Sequence, residues 1–168
     1  KLSTIIYGNV LNSTGSIIPL IWQSIKTGSP LTLFNSNMTR FIITADQAVD
    51  LIFEGLNYDG VSIIPKASSI LVRHLFEIYS EYFGLQYSLS EPRLGEKIHE
   101  VLASREEIPR MFTTVDASCY LLSPSFSSLH DLTPAGLNTS TDYSSEDCVI
   151  SKSELNSILS AENYYQPL

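Results

Sequence analysis

Residues 4–10 read TIIYGNV, a β-branched and aromatic run that ends in a glycine and an asparagine. Such a run predicts a short strand that enters a turn at Gly8 and Asn9. The apolar residues that follow recur at helical spacing until Gly28 ends the pattern, and they are Ile18, Ile21, Trp22 and Ile25. A strand followed by a helix is the repeating unit of α/β proteins, so this stretch decides the predicted fold class.

The same alternation continues along the chain. Thr44 with Gln47 three residues later is a capping-box pattern, which predicts the start of a second helix. The face of this helix that we predict to be buried holds Ala48, Leu51, Ile52 and Leu56. The acids that we predict to be solvated on the opposite face are Asp46, Asp50 and Glu54. Short strands are predicted at residues 31–34, 41–43, 61–64 and 85–89.

The second half of the chain adds further elements. A long helix is predicted from Ser69 to Gly84, with Tyr82 on its inward face. Another helix is predicted around residues 95–103. A hairpin is predicted from residues 111–115 and 118–122. Because the strands are short and few, we expect the end of a larger sheet with a small α/β lobe beside it.

The composition changes after residue 123, where serine, threonine, asparagine and aspartate dominate. This change predicts a long loop or mobile arm, which is followed by a short helix capped by Ser151 and Glu154. We expect the tail from Asn163 to be frayed. The predicted division is therefore an α/β part at residues 1–123 and an arm with a helix at residues 124–168.

Charge and composition exclude several functions. The chain of 168 residues carries a net charge of −8 and only ten lysines and arginines, so we expect no nucleic-acid binding. It contains no apolar run of membrane-spanning length and no signal-peptide pattern at its start, so we expect no membrane insertion. Cys119 and Cys148 lie far apart and lack metal-ligand spacing. We expect two reduced thiols in a cytoplasmic protein, and the alternatives are a disulfide or a reactive thiol.

Two polar residues are candidates for ligand binding in the first part of the chain. Asn9 follows a predicted strand, where open α/β sheets bind ligands, and its amide can donate to a phosphate or a cofactor carboxamide. A turn-forming asparagine explains the same residue. Arg40 stands near the start of another predicted strand, and a guanidinium fits two phosphate oxygens. A surface salt bridge is the alternative for Arg40.

A second candidate pair lies beside Gly95. Arg93 could hold a diphosphate while Glu96 accepts hydrogen bonds from two ribose hydroxyls. An ion pair between residues three apart is the alternative for this pair. We interpret His99 as a packed or exposed histidine rather than a base. The sequence has no Gly-x-Ser-x-Gly elbow and no metal-ligand cluster, so we expect no hydrolase triad and no metal site.

Taken in order, four segments resemble one known family. They are residues 7–20 (YGNVLNSTGSIIPL), 38–51 (MTRFIITADQAVDL), 95–107 (GEKIHEVLASREE) and 142–146 (DYSSE). These segments resemble the extended short-chain dehydrogenase/reductases of capsular polysaccharide biosynthesis. The branch that they resemble comprises dehydratases and epimerases that act on UDP-N-acetylglucosamine.

The resemblance implies a fold and a site. The fold would be α/β, with the last strand or strands of a Rossmann-type sheet, a small α/β substrate-binding lobe and a C-terminal extension. Residues 1–123 would then form the substrate-binding part. The implied contacts to the UDP-sugar are Asn9, Arg40, Arg93 and Glu96, and the implied contacts to the cofactor are Tyr7 and Val10.

The resemblance also implies what this chain lacks. The cofactor would be NAD or NADP, bound mainly by a segment that lies before Lys1. The family's Tyr/Lys/Asp catalytic set would lie in the same segment, so we expect no catalytic residue in this chain and no turnover by it alone. We expect the intact protein to be a homo-oligomer with a UDP-sugar as substrate.

Two positions depart from the family pattern. Ile6 and Thr14 stand where the family usually has arginine. Loss of these two charges would weaken phosphate binding by about 1–3 kcal/mol each if the contacts were charge-assisted. The departures motivate an alternative, a non-catalytic binding or assembly module derived from the same fold.

Overall fold

The structure is a computed structural model that describes residues 2–92, 94–125 and 132–167. The helices within these residues are α1 (Ile17–Thr27), α2 (Ala45–Gly55), α3 (Val72–Phe83) and α4 (Lys152–Ala161), with a short 3-10 helix at Ile108–Arg110. The strands, in chain order, are β1 (Thr4–Ile5), β2 (Asn9–Val10), β3 (Leu31–Leu33), β4 (Thr39–Ile43), β5 (Ser62–Pro65), β6 (Ser68–Leu71), β7 (Tyr87–Leu89), β8 (Val101–Ala103), β9 (Met111–Thr113), β10 (Cys119–Leu122), β11 (Thr133–Pro134) and β12 (Tyr143–Ser144). The predicted α/β class is confirmed.

The largest sheet has the strand order β1-β5-β10-β9-β11. β1 and β5 are parallel neighbours, and α2 precedes β5 and packs against both strands. The predicted hairpin is confirmed, because β9 and β10 pair antiparallel. Since the carboxyl ends of β1 and β5 lie at the same edge, the segments that follow them start from one side of the sheet.

A smaller sheet of β2, β4 and β6 carries the lobe, and β3 pairs with β7 beside it. β4 separates two hydrophobic cores. Phe41 and Ile43 point into the core under the large sheet, whereas Ile42 points into the core formed with α1, α3 and α4. This alternation follows from the two-residue period of a strand. One short strand therefore fixes the lobe to the sheet.

The local helix signals are confirmed. α1 ends at Gly28, which has the left-handed φ of 69° that glycine adopts without strain. Thr44 and Gln47 form both bonds of a capping box at the start of α2. The buried face of α2 is partly wrong, because Ile52 is 52% exposed and Leu56 is 67% exposed.

Gly55 explains how α2 is oriented. A Cβ at Gly55 would lie 2.8 Å from the Ile5 Cδ1 atom, so the helix approaches the sheet through this glycine. Ala48 and Leu51 share the buried face with Gly55. Val49, Ile52, Phe53 and Leu56 therefore remain as an exposed apolar stripe, which we call the α2 stripe.

Two further helix predictions are wrong. Ser69 lies in strand β6 rather than at a helix start, because residues 68–71 pair with β4. Helix α3 begins at Val72, and Tyr82 is 61% exposed rather than inward. Residues 94–100 form turns and bends instead of a helix, and β8 follows them. In that segment Gly95 has a φ of 84°, which a right-handed helix does not allow.

The last described segment packs against the rest of the molecule. The Ser151 capping box is confirmed at α4, which packs on α3. Tyr164 is buried, and its carbonyl accepts hydrogen bonds from Trp22 Nε1 at 3.2 Å and Tyr79 Oη at 2.7 Å, so the tail is not frayed there. Among the described residues, no helix has the length and apolarity needed to cross a membrane. Cys119 and Cys148 are free thiols.

Candidate functional site

A cavity of about 300 Å³ opens in the lobe between β2, the first turn of α1, β3, β4 and α3. Most of its wall is apolar. The predicted ligand-binding residues that line it are Asn9, Val10, Arg40 and Glu96. These residues come from three separate parts of the sequence. The fold brings them to one cavity, although their spacing in the sequence does not indicate that they lie close together.

Gly8 positions Asn9 at this cavity. A Cβ at Gly8 would lie 2.4 Å from the Phe41 Cβ atom and 2.7 Å from the Phe41 carbonyl oxygen. Only a glycine therefore allows the chain between β1 and β2 to approach Phe41 of β4 so closely. The predicted turn at Gly8 and Asn9 is wrong, because Asn9 pairs with Ile42 in a parallel ladder. This pairing leaves Asn9 exposed at the cavity.

Tyr7 and Val10 occupy different positions. Val10 lies in β2 and lines the cavity. Tyr7 follows β1 at the carboxyl end of the parallel pair β1 and β5, outside the cavity wall, and is 39% exposed. A cofactor that contacted Tyr7 would therefore lie at the sheet edge, next to the cavity rather than inside it.

Arg40 is held by the segment that carries Glu96. Its Nη1 donates to the carbonyls of Thr39 at 2.7 Å and Ile98 at 3.2 Å. Its Nη2 donates to the Lys97 carbonyl at 2.9 Å and to Glu96 Oε1 at 3.3 Å. Its Nε lies 3.5 Å from Glu100 Oε1. Every nitrogen of the guanidinium thus faces a protein oxygen, which gives Arg40 the structural task of fixing residues 96–100 against β4.

A buried polar network lies behind Arg40. The Thr39 hydroxyl is 2.8 Å from His99 Nδ1 and 2.6 Å from the Ser145 hydroxyl. The Ser145 hydroxyl also accepts from the Glu100 amide at 2.8 Å, and the Ser145 carbonyl accepts from the Ser69 hydroxyl. His99 is therefore a packed histidine, as we interpreted it. The network joins three of the segments that carry the resemblance.

Tyr143 anchors the end of this network. Its hydroxyl donates to the Pro65 carbonyl at 3.2 Å and accepts from the Ala67 amide at 3.1 Å. Burial raises the pKa of Tyr143 further above neutral pH, where a phenol is protonated and can donate. The C-terminal segment is consequently tied to the loop after β5.

The segment around Glu96 is described only in part. Arg93 lies outside the described residues. Glu96 does not stand on a helix, and its carboxylate forms an ion pair with Arg40. Its carboxylate faces the rim of the cavity, where one oxygen is engaged by Arg40. Two oxygens give a carboxylate several acceptor positions, so Glu96 retains capacity for a ligand hydroxyl.

Several functional positions were not predicted from the sequence. Thr39, Glu100 and Ser145 support the site, although each lies inside a segment that carries the family resemblance. Asn12 and Ser16 line the cavity and were not singled out. Only their place between a strand end and a helix start could have indicated them.

Two other kinds of candidate site were considered among the described residues, namely a metal site and a second cleft. Within residues 2–92, 94–125 and 132–167, no group of three or more His, Cys, Asp or Glu could hold a metal ion. A wider cleft of about 610 Å³ runs past Lys66 and Cys119 and is lined by none of the predicted site residues. The cavity in the lobe is therefore the candidate site, since the predicted polar residues converge there.

Comparison with known proteins decides the family. Residues 1–119 match a family described as polysaccharide biosynthesis protein. The chain belongs to the polysaccharide biosynthesis protein family. The resemblance drawn from residues 7–20, 38–51 and 95–107 is confirmed at this level, because all three segments lie within the matched residues.

Two curated relatives of the chain are longer than it is. An uncharacterized membrane protein of Methanocaldococcus jannaschii is 38% identical over 117 residues, which are 63% of this chain and 35% of that relative. A UDP-glucose 4-epimerase of Rickettsia typhi is 33% identical over 108 residues, which are 62% of this chain and 32% of the enzyme. The chain thus spans about a third of the length of these curated relatives.

A solved structure supports the fold of this family member. Pen from Bacillus thuringiensis superimposes with a TM-score of 0.82 and 26% sequence identity, over 96% of this chain and 50% of Pen. Together with the parallel pair of β1 and β5, this likeness confirms the predicted fold. That fold is the end of a Rossmann-type sheet with a small α/β lobe and a C-terminal extension.

Proposed function

We propose that this chain is the substrate-binding part of an enzyme that modifies a UDP-sugar for polysaccharide biosynthesis. The finer assignment is a 4,6-dehydratase or dehydratase/epimerase that acts on a UDP-N-acetylglucosamine-like substrate. Family membership supports the proposal, as does the UDP-glucose 4-epimerase among the relatives. We further propose that residues 1–123 bind the substrate and that residues 124–168 support them.

One observation carries the proposal. Asn9, Arg40 and Glu96 line the same cavity, although they lie far apart in the sequence. An amide, a guanidinium and a carboxylate around a mostly apolar wall suit a ligand that carries phosphates, hydroxyls and a flat ring. A chain with a net charge of −8 needs such a local positive group to attract an anionic ligand.

Each residue has a distinct task in this proposal. Asn9 donates from its amide to a diphosphate oxygen, and Glu96 accepts from the ribose hydroxyls. Arg40 holds Glu96 at the rim and adds positive charge near the diphosphate, and a direct bond to phosphate replaces one of its bonds to a loop carbonyl. Arg93 supplies a second guanidinium from the same segment.

The proposed cofactor is NAD or NADP, and the part of this chain that fits it is the sheet edge. Tyr7 is partly exposed at the carboxyl end of two parallel strands, the edge where open α/β sheets bind dinucleotides. We propose that Tyr7 and Val10 contact the nicotinamide end. When bound, the cofactor supplies transient oxidation of the sugar. The residues of this chain orient the sugar and its diphosphate.

Isothermal titration calorimetry of the 168-residue chain with UDP tests the proposal. We expect saturable binding that weakens tenfold or more in Glu96→Ala and Arg93→Ala, because a charge-assisted hydrogen bond contributes about 1.5–3 kcal/mol. Lys26→Ala and Asp50→Ala are matched controls, since both residues are exposed outside the cavity. We expect no elimination of water from UDP-N-acetylglucosamine by this chain alone, which a product assay checks.

Absence of saturable UDP binding by the folded wild-type chain would contradict the proposed function and favour the assembly module. The α2 stripe supports that alternative, because four apolar residues at helical spacing are exposed on one face.

The same stripe supports the proposed homo-oligomer. Light scattering measures the mass of the oligomer in solution. Phe53→Glu should lower the mass of any oligomer whose interface is the stripe. An unchanged oligomer mass would exclude the stripe as the interface.

A further inference from the structure

A second, wider cleft lies beside the candidate site. It has a volume of about 610 Å³ and shares a wall with the cavity, because Leu11 and Ile42 line both. Its floor is apolar and includes the buried residues Ile43, Leu51 and Ala67. The described residues that the proposed function assigns to the ligand do not line this cleft, so its occupant would be a different molecule.

Two helices border the wider cleft. From α2 it is lined by residues 47, 50, 51 and 54, and from α4 by residues 158, 161 and 162. Residues three and four apart share one face of a helix, so each helix presents a single row of side chains to the cleft. Another helix packs against such rows, and an apolar groove between them is a shape that an amphipathic helix can enter.

The rim of the wider cleft is acidic. Its acids come from α2, from the turn between β9 and β10 and from the end of α4, and they are Asp50, Glu54, Asp116 and Glu162. Within residues 2–92, 94–125 and 132–167, none of these four carboxylates forms an ion pair. Lys66 is the single basic residue among the described residues that line the cleft, and its Nζ lies 5.0 Å from the centroid of the Tyr120 ring. An occupant can therefore supply the positive charge that the rim lacks.

The turn between β9 and β10 holds Asp116 in place at this rim. Its Oδ1 accepts from the Ser118 amide at 3.1 Å, the Thr114 hydroxyl at 2.8 Å and the Ser118 hydroxyl at 2.8 Å. These bonds lower the pKa of Asp116 and so favour its charged form. Because all three bonds end on Oδ1, the second carboxylate oxygen retains its capacity for a donor from outside the chain.

The chemistry of the cleft narrows the class of occupant. Carboxylates repel a phosphodiester backbone and an anionic membrane surface. In the part of the chain that the structure describes, no group of three or more His, Cys, Asp or Glu could hold a metal ion. A helix that carries lysine or arginine beside apolar side chains complements both the rim and the floor.

We propose that the wider cleft is a docking groove for a basic amphipathic helix of a partner protein. The apolar side chains of that helix pack on the floor, and its lysine or arginine side chains pair with the four acids of the rim. The inference goes beyond the proposed function and does not depend on it, because UDP is assigned to the other cavity.

Isothermal titration calorimetry of the full chain with two synthetic helical peptides tests the inference. One peptide consists of lysine and leucine at amphipathic spacing, and the other carries glutamate at every lysine position. Asp50→Asn combined with Asp116→Asn removes two charges from the rim and keeps the shape of both side chains. Glu91→Gln combined with Asp147→Asn is the matched control, since both residues are exposed acids outside the cleft.

A second pair of variants tests the groove without a change of charge. Ala161 is exposed and lines the cleft, so Ala161→Trp places a bulky ring in the space that the helix would occupy. Ser160→Trp is its control, because Ser160 is also exposed on α4 but does not line the cleft. Thermal unfolding establishes that each variant is folded.

We expect saturable binding of the lysine peptide and no binding of the glutamate peptide. The combined change at Asp50 and Asp116 should weaken binding about fivefold, because two partly exposed ion pairs are lost. Ala161→Trp should weaken it by about tenfold or more through a steric clash. Both controls should bind within about twofold of the wild type.

Absence of saturable binding of the lysine peptide by the folded wild-type chain would overturn the docking groove. Equal weakening by the two charge-removing pairs would also overturn it, because the peptide would then respond to the net charge of −8 and not to the rim. Unchanged binding to a folded Ala161→Trp variant would exclude the cleft as the binding surface. If that variant does not fold, the comparison of the two charge-removing pairs decides.

Discussion

At the scale of single residues, the site depends on one glycine and one arginine. Gly8 lets the chain pass so close to Phe41 that Asn9 reaches the cavity. Arg40 donates hydrogen bonds to residues 96–98 and to the Thr39 carbonyl of its own strand. Both residues therefore shape the cavity before any ligand arrives, and each can be tested separately.

Gly8→Ala should destabilise the chain by about 1–3 kcal/mol, the usual cost of forcing an extra carbon into a packed site. The new Cβ would stand 2.7 Å from the Phe41 carbonyl oxygen, which belongs to the backbone of β4 and cannot turn aside. Urea unfolding measures the change. Gly15→Asn is the control, because no atom lies within 4 Å of a Cβ there and asparagine tolerates its positive φ. Equal stability of Gly8→Ala and the wild type would contradict the close approach.

Arg40→Lys separates a positioning role from a charge role. Lysine keeps the charge but cannot reach the carbonyls of Thr39, Lys97 and Ile98 together with Glu96. We expect a loss of about 1–3 kcal/mol in stability, because several acceptors lose their partners. Amide hydrogen exchange should become faster at residues 96–100.

Arg105→Lys is the control for this variant, since Arg105 is exposed and pairs with its neighbour Glu106. Its exchange pattern should not change. If Arg40→Lys loses UDP affinity while residues 96–100 stay as protected as in the wild type, Arg40 acts on the phosphate directly and not by positioning the loop.

At the scale of elements, the sequence predicted structures that depend on residues close together in the chain. It did not predict those that depend on contacts between distant segments. The capping boxes at Thr44 and Ser151 involve residues three apart, so the sequence alone indicates where α2 and α4 begin. Strand β6 was missed because its pairing partner, β4, lies about thirty residues earlier. The exposed side of α2 was missed because Gly55, not an apolar side chain, meets the sheet.

The cap of α4 makes a prediction about pH. Hydrogen bonds from the Ser151 hydroxyl at 2.7 Å and the Ser151 amide at 2.9 Å lower the pKa of Glu154. A lowered folded pKa means that the ionised carboxylate stabilises the fold above the ordinary glutamate pKa of about 4.3, and that this stabilisation is lost as pH falls through the folded value.

Glu154→Gln should therefore be less stable than the wild type at about pH 6, and the difference should shrink toward about pH 3. Urea unfolding of both proteins across this range measures it. Glu162→Gln, at the other end of α4, serves as the control. A difference that stays constant over the range would show that the charge of Glu154 contributes nothing to the cap.

At the scale of the whole molecule, the candidate site is assembled from distant parts of the chain. The residue types at Asn9, Arg40 and Glu96 indicated a phosphate and ribose site, but no spacing rule predicts that the three share a cavity. Resemblance to a family supplied that expectation, and the fold supplies the physical reason. β2 and β4 are parallel neighbours, and the guanidinium of Arg40 holds Glu96 beside them.

Ser145 shows how far this assembly extends, because it lies outside the cavity and near the end of the chain. Its buried hydroxyl contacts the Thr39 hydroxyl and accepts from the Glu100 amide. Ser145→Ala should cost about 1–3 kcal/mol in stability, since the partly buried amide of Glu100 loses its acceptor. It should also weaken UDP binding, because Glu100 and the segment that carries Glu96 lose their support.

The matched control is Ser157→Ala on α4, where an exposed serine donates to the Ser153 carbonyl of its own helix. We expect that variant to leave both stability and UDP affinity close to wild type. Calorimetry with UDP and urea unfolding measure the two effects in the same preparations. Should Ser145→Ala lower stability while leaving UDP affinity unchanged, the C-terminal segment stabilises the fold without positioning the site, and the site must then be held by residues 1–123 alone.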